Sequence, residues 1–255
     1  MKFVDLNADL GESFGAWTMG LDDELLTCLS SANISCGWHA GDPAVMERSV
    51  RAALAAGVAL GAHPGYPDLA GFGRRAMALD AAEIYGAVLY QTGALRAFAE
   101  AAGARLSHVK PHGALYNDAA ADASKAMAVA RAVKASGSGL FLVGPPDSAL
   151  SAAAAEIGLP YAREFFADRA YGDDGRLVPR ALPGAVIHDK DQAVRRTIEA
   201  LRSGAVASIN GKPVTIGFDT ICLHGDNPHA LAFARGLRVA LESAGIALRS
   251  FASSR

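Results

Sequence analysis

The feature that most narrows what this chain can fold into is a repeated ending: a short apolar run, then a histidine, then glycine one or two residues later. His39 and Gly41 follow the apolar run around Ile34, and His63 and Gly65 follow 58–62. His112 and Gly113 follow 106–109, and His224 and Gly225 follow 220–223. Glycine marks a turn, and a single histidine before a turn is an ordinary strand-end residue. Four of the seven histidines in that position argue instead that several strands deliver side chains to one shared place.

The segments between these runs carry helical periodicity. Asp42 reads as an N-cap, Pro43 as a first helical residue, Met46, Val50 and Ala53 as an apolar stripe, and Gly57 as a stop. A second helix starts at Asp80 with Ile84, Val88, Leu95 and Phe98 on one face, and Gln91 falls inside that stripe. Val194, Ile198 and Leu201 mark a third, and Phe233, Leu237, Leu241 and Ala244 a fourth after Pro228. Residues 119–135 and 147–157 also read as helices. Strands are expected at 3–8, 32–36, 58–62, 105–109, 139–143, 161–165 and 219–223, with a short one at 247–251.

Seven or eight strands alternating with helices fit a TIM-like (β/α) barrel in the α/β class. An open doubly wound sheet is the competitor, but it concentrates polar residues at one or two switch points. Here the first, second, third, fourth and last strands all end on polar residues. No linker or low-complexity stretch interrupts the chain, so residues 1–255 read as one domain. With 51% hydrophobic residues a sizeable core is expected, and a formal net charge of −2 without a basic block argues against nucleic acid. No signal peptide and no membrane span are evident. Cys28, Cys36 and Cys222 form neither a disulfide framework nor a metal-binding pair. The expected compartment is the cytoplasm.

Several residue sets carry candidate chemistry. Asp5, Asn7 and Asp9 alternate with Leu6, Ala8 and Leu10, so the three polar groups share one face of the first strand. Carboxylates there can act as general bases or metal ligands, with Glu12 just beyond. His39, His63, His112 and His224, with Asp226, are metal ligands, acid–base groups or both. A divalent ion would draw on Asp9, His39, His63 and His112. His108, His188 and His229 read as satisfied turn residues. Lys110 and His112 are two apart at a strand exit and point to one side, and Lys110 there reads as an electrophilic or anion-binding group. Cys36 and Cys222 sit near strand ends as small buried residues.

The loop 65–75 holds Gly71, Gly73, Arg74 and Arg75. It reads either as a solvated loop or as one whose backbone amides and arginines hold an anion. Gly71, Gly73 and Ala76 match a dinucleotide-binding glycine pattern only by accident, because no strand leads directly into them. No GxxxxGK[ST] phosphate loop is present, and Gly211-Lys212-Pro213 reads as a turn. Residues 165–180 break the rhythm, with Asp174-Gly175 as a hairpin turn and Arg169 and Arg180 as further anion-binding candidates.

Seven stretches resemble the LamB/YcsF family of lactam-utilisation proteins, over almost the whole chain. They are 5–15 (DLNADLGESFG), 31–43 (SANISCGWHAGDP), 61–68 (GAHPGYPD), 71–75 (GFGRR), 108–117 (HVKPHGALYN), 166–171 (FADRAY) and 219–226 (DTICLHGD). Trp38 stands where that pattern leads one to expect phenylalanine. The resemblance implies a distorted barrel of the glycoside hydrolase/deacetylase kind. It implies hydrolysis of 5-oxo-L-proline to L-glutamate coupled to ATP cleavage, as the A subunit of a 5-oxoprolinase acting with sister subunits B and C. With the phosphate loop missing, ATP is expected to be handled by those partners. Opening an unstrained lactam needs an activated carbonyl, an activated water and a protonated ring nitrogen. On that implied substrate, Asp9 or Glu12 with His63 activates water, and Lys110 and His112 stabilise the oxyanion or phosphate. Asp226 and His224 serve the leaving nitrogen. Asn7, Asn33, His39 and Arg74 or Arg169 hold the substrate. Alternatives are a stand-alone metal-dependent amidase or carbohydrate deacetylase, and a non-catalytic subunit that binds a small acid, with homo-oligomerisation open.

Overall fold

The computed structural model describes residues 3–223 and 230–254. Among these residues, ten strands and eight α-helices follow one another along the chain. The strands are β1 (Phe3–Leu10), β2 (Ser31–Ser35), β3 (Ala59–His63), β4 (His108–Val109), β5 (Phe141–Gly144), β6 (Tyr161–Phe166), β7 (Ala205–Ala207), β8 (Pro213–Thr215), β9 (Thr220–Leu223) and β10 (Ala247–Leu248). The helices are α1 (Asp22–Leu26), α2 (Pro43–Ala55), α3 (Ala81–Ala101), α4 (Gly113–Ala121), α5 (Ala123–Ser136), α6 (Ala149–Glu156), α7 (Lys190–Ser203) and α8 (Ala230–Ser243).

Strands β1 to β6 and β9 pair in parallel in that order, and β9 returns to β1 to close a seven-stranded barrel. The eighth expected strand, β10, stays outside the ring and pairs only with Phe3 and Val4 at the start of β1. Strands β7 and β8 form a separate antiparallel hairpin, of which the sequence shows only the turn at Gly211. Among the described residues no helix is long and apolar enough to cross a membrane.

The period-two pattern of β1 decides what fills the barrel. Val4, Leu6, Ala8 and Leu10 join the main apolar core, while Asp5 and Asn7 are buried and bond to neighbouring strands. Barrels of this kind usually fill their interior with branched apolar layers; this one builds a polar ladder. Gly61 on β3 is required by it. His108 on β4 reaches across β3 to Asn33 on β2, and a Cβ on Gly61 would lie 2.0 Å from the His108 Nε2.

The helix signals hold where a cap is legible. Asp42 accepts from the Val45 amide at 2.9 Å, and Asp80 and Glu83 form a capping box. Residues 119–135, expected as one helix, are the end of α4 and most of α5. Asp122 divides them because its backbone is extended and its side chain caps α5 through Ser124 and Lys125. Gln91, the misfit in the α3 stripe, is buried and clamps Gly65 from both sides, accepting from its amide and donating to its carbonyl. In the excursion after β6, Tyr171 bridges Leu177 around the 172–176 turn, as the Asp174-Gly175 signal suggests.

Candidate active site

The polar ladder begins at the bottom of β1. Asp5 accepts from Ser30 at 2.6 Å, from Ser31 at 2.7 Å and from Thr220. Burial raises its pKa to about 6 against these lowering hydrogen bonds, and the Glu164 charge adds to the rise. Asn7 donates to Thr220 at 2.6 Å and accepts from Asn33 at 2.7 Å. Asn33 also donates to Asp9 at 2.9 Å, and its carbonyl oxygen takes a bond from His108 at 2.8 Å. Asn7, Asn33 and His108 are fully buried. Asn7 and Asn33, expected to hold substrate, therefore orient other side chains. His108, expected in a turn, is a strand residue inside the barrel, and burial takes its pKa down to about 3.

Above the ladder lies the reactive-looking group. Lys110 Nζ sits 2.9 Å from Asp9 Oδ1 and 2.8 Å from Glu164 Oε1. Burial disfavours its charge, but Asp9, Cys222 and Glu164 outweigh that and hold its pKa well above the usual lysine value. Lys110 is thus an ammonium clamped between two carboxylates. It also donates to Cys222 Sγ at 3.1 Å, and burial keeps that thiol protonated, as it does for Cys36, whose pKa rises to about 12. His63 Nδ1 lies 2.7 Å from the Lys110 carbonyl oxygen. A carbonyl only accepts, so Nδ1 carries the proton and Nε2 presents its lone pair, 3.3 Å from Asp9 Oδ2. An imidazole held this way can take a proton at Nε2, and Asp9 stabilises the cation that forms.

Asp9, His63, Lys110, His112 and Glu164 line one cavity of about 1230 Å³, with Arg74, Arg169, Arg176 and Arg180 on its walls. Arg169 is half committed to the fold, donating to the Val178 and Ala185 carbonyls at 2.6 and 3.3 Å; burial lowers its pKa to about 10. In the glycine-rich loop the backbone amides turn inward. The amides of Gly71 and Gly73 bond to Asp68, and Arg75 Nε donates to the Asp68 carboxylate at 3.0 Å. That loop braces itself and leaves Arg74 at the cavity.

Glu12 and His39 do not line the cavity. Together with His112 they form a second buried group whose ligand-type atoms all lie within 4.8 Å of one another. Asp9 and His63, expected metal candidates, fall outside it because they pair with each other and with Lys110. His39, expected at the substrate, is fully buried and packs flat on His112 with ring centres 3.9 Å apart. Its Nε2 lies 3.0 Å from Ser35 Oγ, while Nδ1 of both His39 and His112 lacks a hydrogen-bond partner among the described residues. Burial lowers the pKa of both rings well below the usual value, so both are neutral.

His224 and Asp226, expected at the leaving nitrogen, and His229 lie outside the described residues. Sequence reasoning missed Glu164 and Thr220. Glu164 had a signal, as an acid directly before Phe165 and Phe166 at the end of β6; Thr220 is an ordinary residue for a strand.

A model of the LamB/YcsF family matches residues 4–255. A Bordetella pertussis protein that carries the name of the 5-oxoprolinase A subunit is 55% identical over 247 residues, 97% of this chain and 98% of that one. The crystal structure of a lactam utilization protein from Thermus thermophilus superposes with a TM-score of 0.94 at 49% identity, covering 98% of this chain and all (100%) of that one. A GH113 beta-1,4-mannanase shares the fold alone, with a TM-score of 0.53 at 11% identity over 95% of this chain and 100% of that one.

Proposed function

This chain belongs to the LamB/YcsF family, and on that premise we propose that it is the lactam-opening A subunit of an ATP-dependent 5-oxoprolinase, converting 5-oxo-L-proline to L-glutamate. The observation that carries the reading is Lys110 clamped between Asp9 and Glu164 beside the open Nε2 of His63, all on one cavity wall. The name of the Bordetella relative supplies the substrate.

The lactam carbonyl resists water until its oxygen is phosphorylated. This chain has no GxxxxGK[ST] loop, so the sister subunits B and C carry out that transfer from ATP, releasing ADP. The activated ring then enters the cavity with its carboxylate toward Arg74 or Arg169. His63 Nε2 takes a proton from water as the oxygen attacks the ring carbon. The Lys110 ammonium, with His112 beside it, meets the phosphoryl charge carried on that oxygen, while the electron pair of the C=N bond moves onto the ring nitrogen. The imidazolium of His63 returns its proton to the ring nitrogen, the C–N bond breaks as the proton of the added hydroxyl also passes to the leaving amine, and the carbonyl re-forms as an acyl phosphate. A second water cleaves that phosphate, leaving glutamate. Asn33, Asn7 and His108 hold Asp9 at the angle this sequence needs.

The test is reconstitution of this chain with its sister subunits, following glutamate and ADP. The reading expects both products only with 5-oxoproline, ATP and all subunits together. Glutamate from this chain alone, without ATP and lost to chelator, would establish the stand-alone amidase. Binding of 5-oxoproline without turnover in the full mixture would establish a carrier.

A further inference from the structure

Of the second buried group, Glu12 and His39 have no part in the chemistry just described, and His112 enters it only beside Lys110. Its members come from three separate places: the turn after β1, the turn after β2 and the first residue before α4. Each is nearly or fully buried. Two neutral imidazoles stacked face to face with an acid in reach, each Nδ1 without a hydrogen-bond partner among the described residues, are an expensive way to fill space.

The surroundings preserve room at those two nitrogens. A Cβ on Gly65 would lie 2.6 Å from His39 Nδ1, and one on Gly73 would lie 2.8 Å from His112 Nδ1. Gln91 fixes Gly65 in place through both of its backbone groups. Between the two glycines Phe72 is held in the left-handed region at φ 54°, a costly conformation for a residue with a Cβ. There its ring packs edge-on against His39 and His112 at 5.8 and 5.1 Å. Ser35 bonds the other nitrogen of His39, which fixes the ring's orientation.

We propose that Glu12, His39 and His112 bind one divalent transition-metal ion, with Zn²⁺ as the best match, under the cover of Phe72. Two imidazoles and one carboxylate form a donor set suited to zinc and its neighbours rather than to magnesium or calcium, which prefer oxygen. Zinc bonds of about 2.1 Å place tetrahedral donors about 3.4 Å apart, so the side chains, now within 4.8 Å, close inward by about 1 Å. His112 alone among the three lines the cavity. The assignment does not depend on the lactam chemistry.

The experiment uses the full chain without an affinity tag, stripped by chelator and then dialysed against Zn²⁺ or Co²⁺. The expected result is one zinc per chain by elemental analysis, with the ligand-field spectrum of a four- or five-coordinate Co²⁺ and a rise in melting temperature on adding Zn²⁺. Glu12→Gln is expected to weaken retention at least tenfold, and His39→Ala or His112→Ala to remove it. His63→Gln, outside the group, is expected to keep full stoichiometry and the same cobalt spectrum. Circular dichroism of each stripped variant separates loss of the ion from loss of the fold. Where a histidine variant does not fold, the Glu12→Gln and His63→Gln pair decides. No ion retained by the folded native chain, or an ion lost in His63→Gln and kept in Glu12→Gln, would overturn the assignment.

Discussion

The ladder inside the barrel and the wall of the cavity above it are built from the same residue types and differ in how fully those residues are satisfied. In the ladder, Asp5 takes three hydroxyl bonds, Asn33 bonds on both sides of its amide, and His108 is fixed from Ser107 and Asn33. On the wall, His63 Nε2 faces Asp9 at 3.3 Å but makes no hydrogen bond among the described residues, and Lys110 is a concentrated charge at the cavity face. Saturated buried polar groups fix a geometry; groups left with an open position can exchange protons or meet charge. The two regions touch at Asp9, which accepts from Asn33 and from Lys110. Positioning thus passes up β1 from one region to the other.

The sharpest way to separate them is to remove the shared charge. Lys110→Met is expected to lower turnover by about 10³-fold or more, the effect of losing a preorganised cation together with its orientation of Asp9. It also takes the ammonium away from the buried Glu164 and from Asp9, costing about 3–5 kcal/mol in denaturant unfolding. Adding Glu164→Gln should recover part of that stability and none of the activity.

The ladder is expected to betray itself through pH and stability, with only a small effect on turnover. The Asp5 carboxyl, at about 6 when folded against 3.8 unfolded, is protonated more readily in the native state. Below the unfolded value both states hold the proton and its contribution is fully present. As pH rises from there through about 6, the unfolded state loses its proton first and stability falls, by about 3 kcal/mol in all. Chemical unfolding at pH 4 and pH 7 should show that fall in the native chain and not in Asp5→Asn. A next, smaller effect belongs to Asn33→Ala. It should cost about 1–3 kcal/mol for its lost bonds and lower kcat about tenfold with KM little changed, as fits a residue acting through Asp9. The smallest contrast is at the outside of the barrel. The half-exposed pair of Arg163 and Asp219, 2.9 Å apart, is worth at most about 1 kcal/mol, so Asp219→Asn should shift unfolding within that range and leave kcat alone.

The sequence showed the barrel because its evidence is local. Caps at Asp42 and Asp80, glycine stops and period-two polarity on β1 each depend on neighbours a few residues away. It also named Asp9, His63, Lys110 and His112, since polar strand ends recur along the chain. It did not separate roles, because satisfaction is a long-range property. Nothing local to Asn33 reveals that His108, 75 residues on, occupies its carbonyl, or that Gly61 exists to let that ring pass. His39 and Glu12 looked like members of the cavity for the same reason. Only the folded turns show that Phe72 and the two glycines set them apart with His112. The helix break at Asp122 was missed because aspartate in an alanine-rich run reads as tolerated until its cap bonds are seen.

The central claim is that the wall reacts and the ladder positions. It is tested most directly by measuring glutamate formation in the reconstituted subunit mixture with His63→Gln and Asn33→Ala side by side. The account predicts that His63→Gln lowers kcat by about 10²–10⁴-fold, the range for a lost general base, while Asn33→Ala lowers it about tenfold. Equal losses in the two variants, or near-native turnover in His63→Gln, would contradict it.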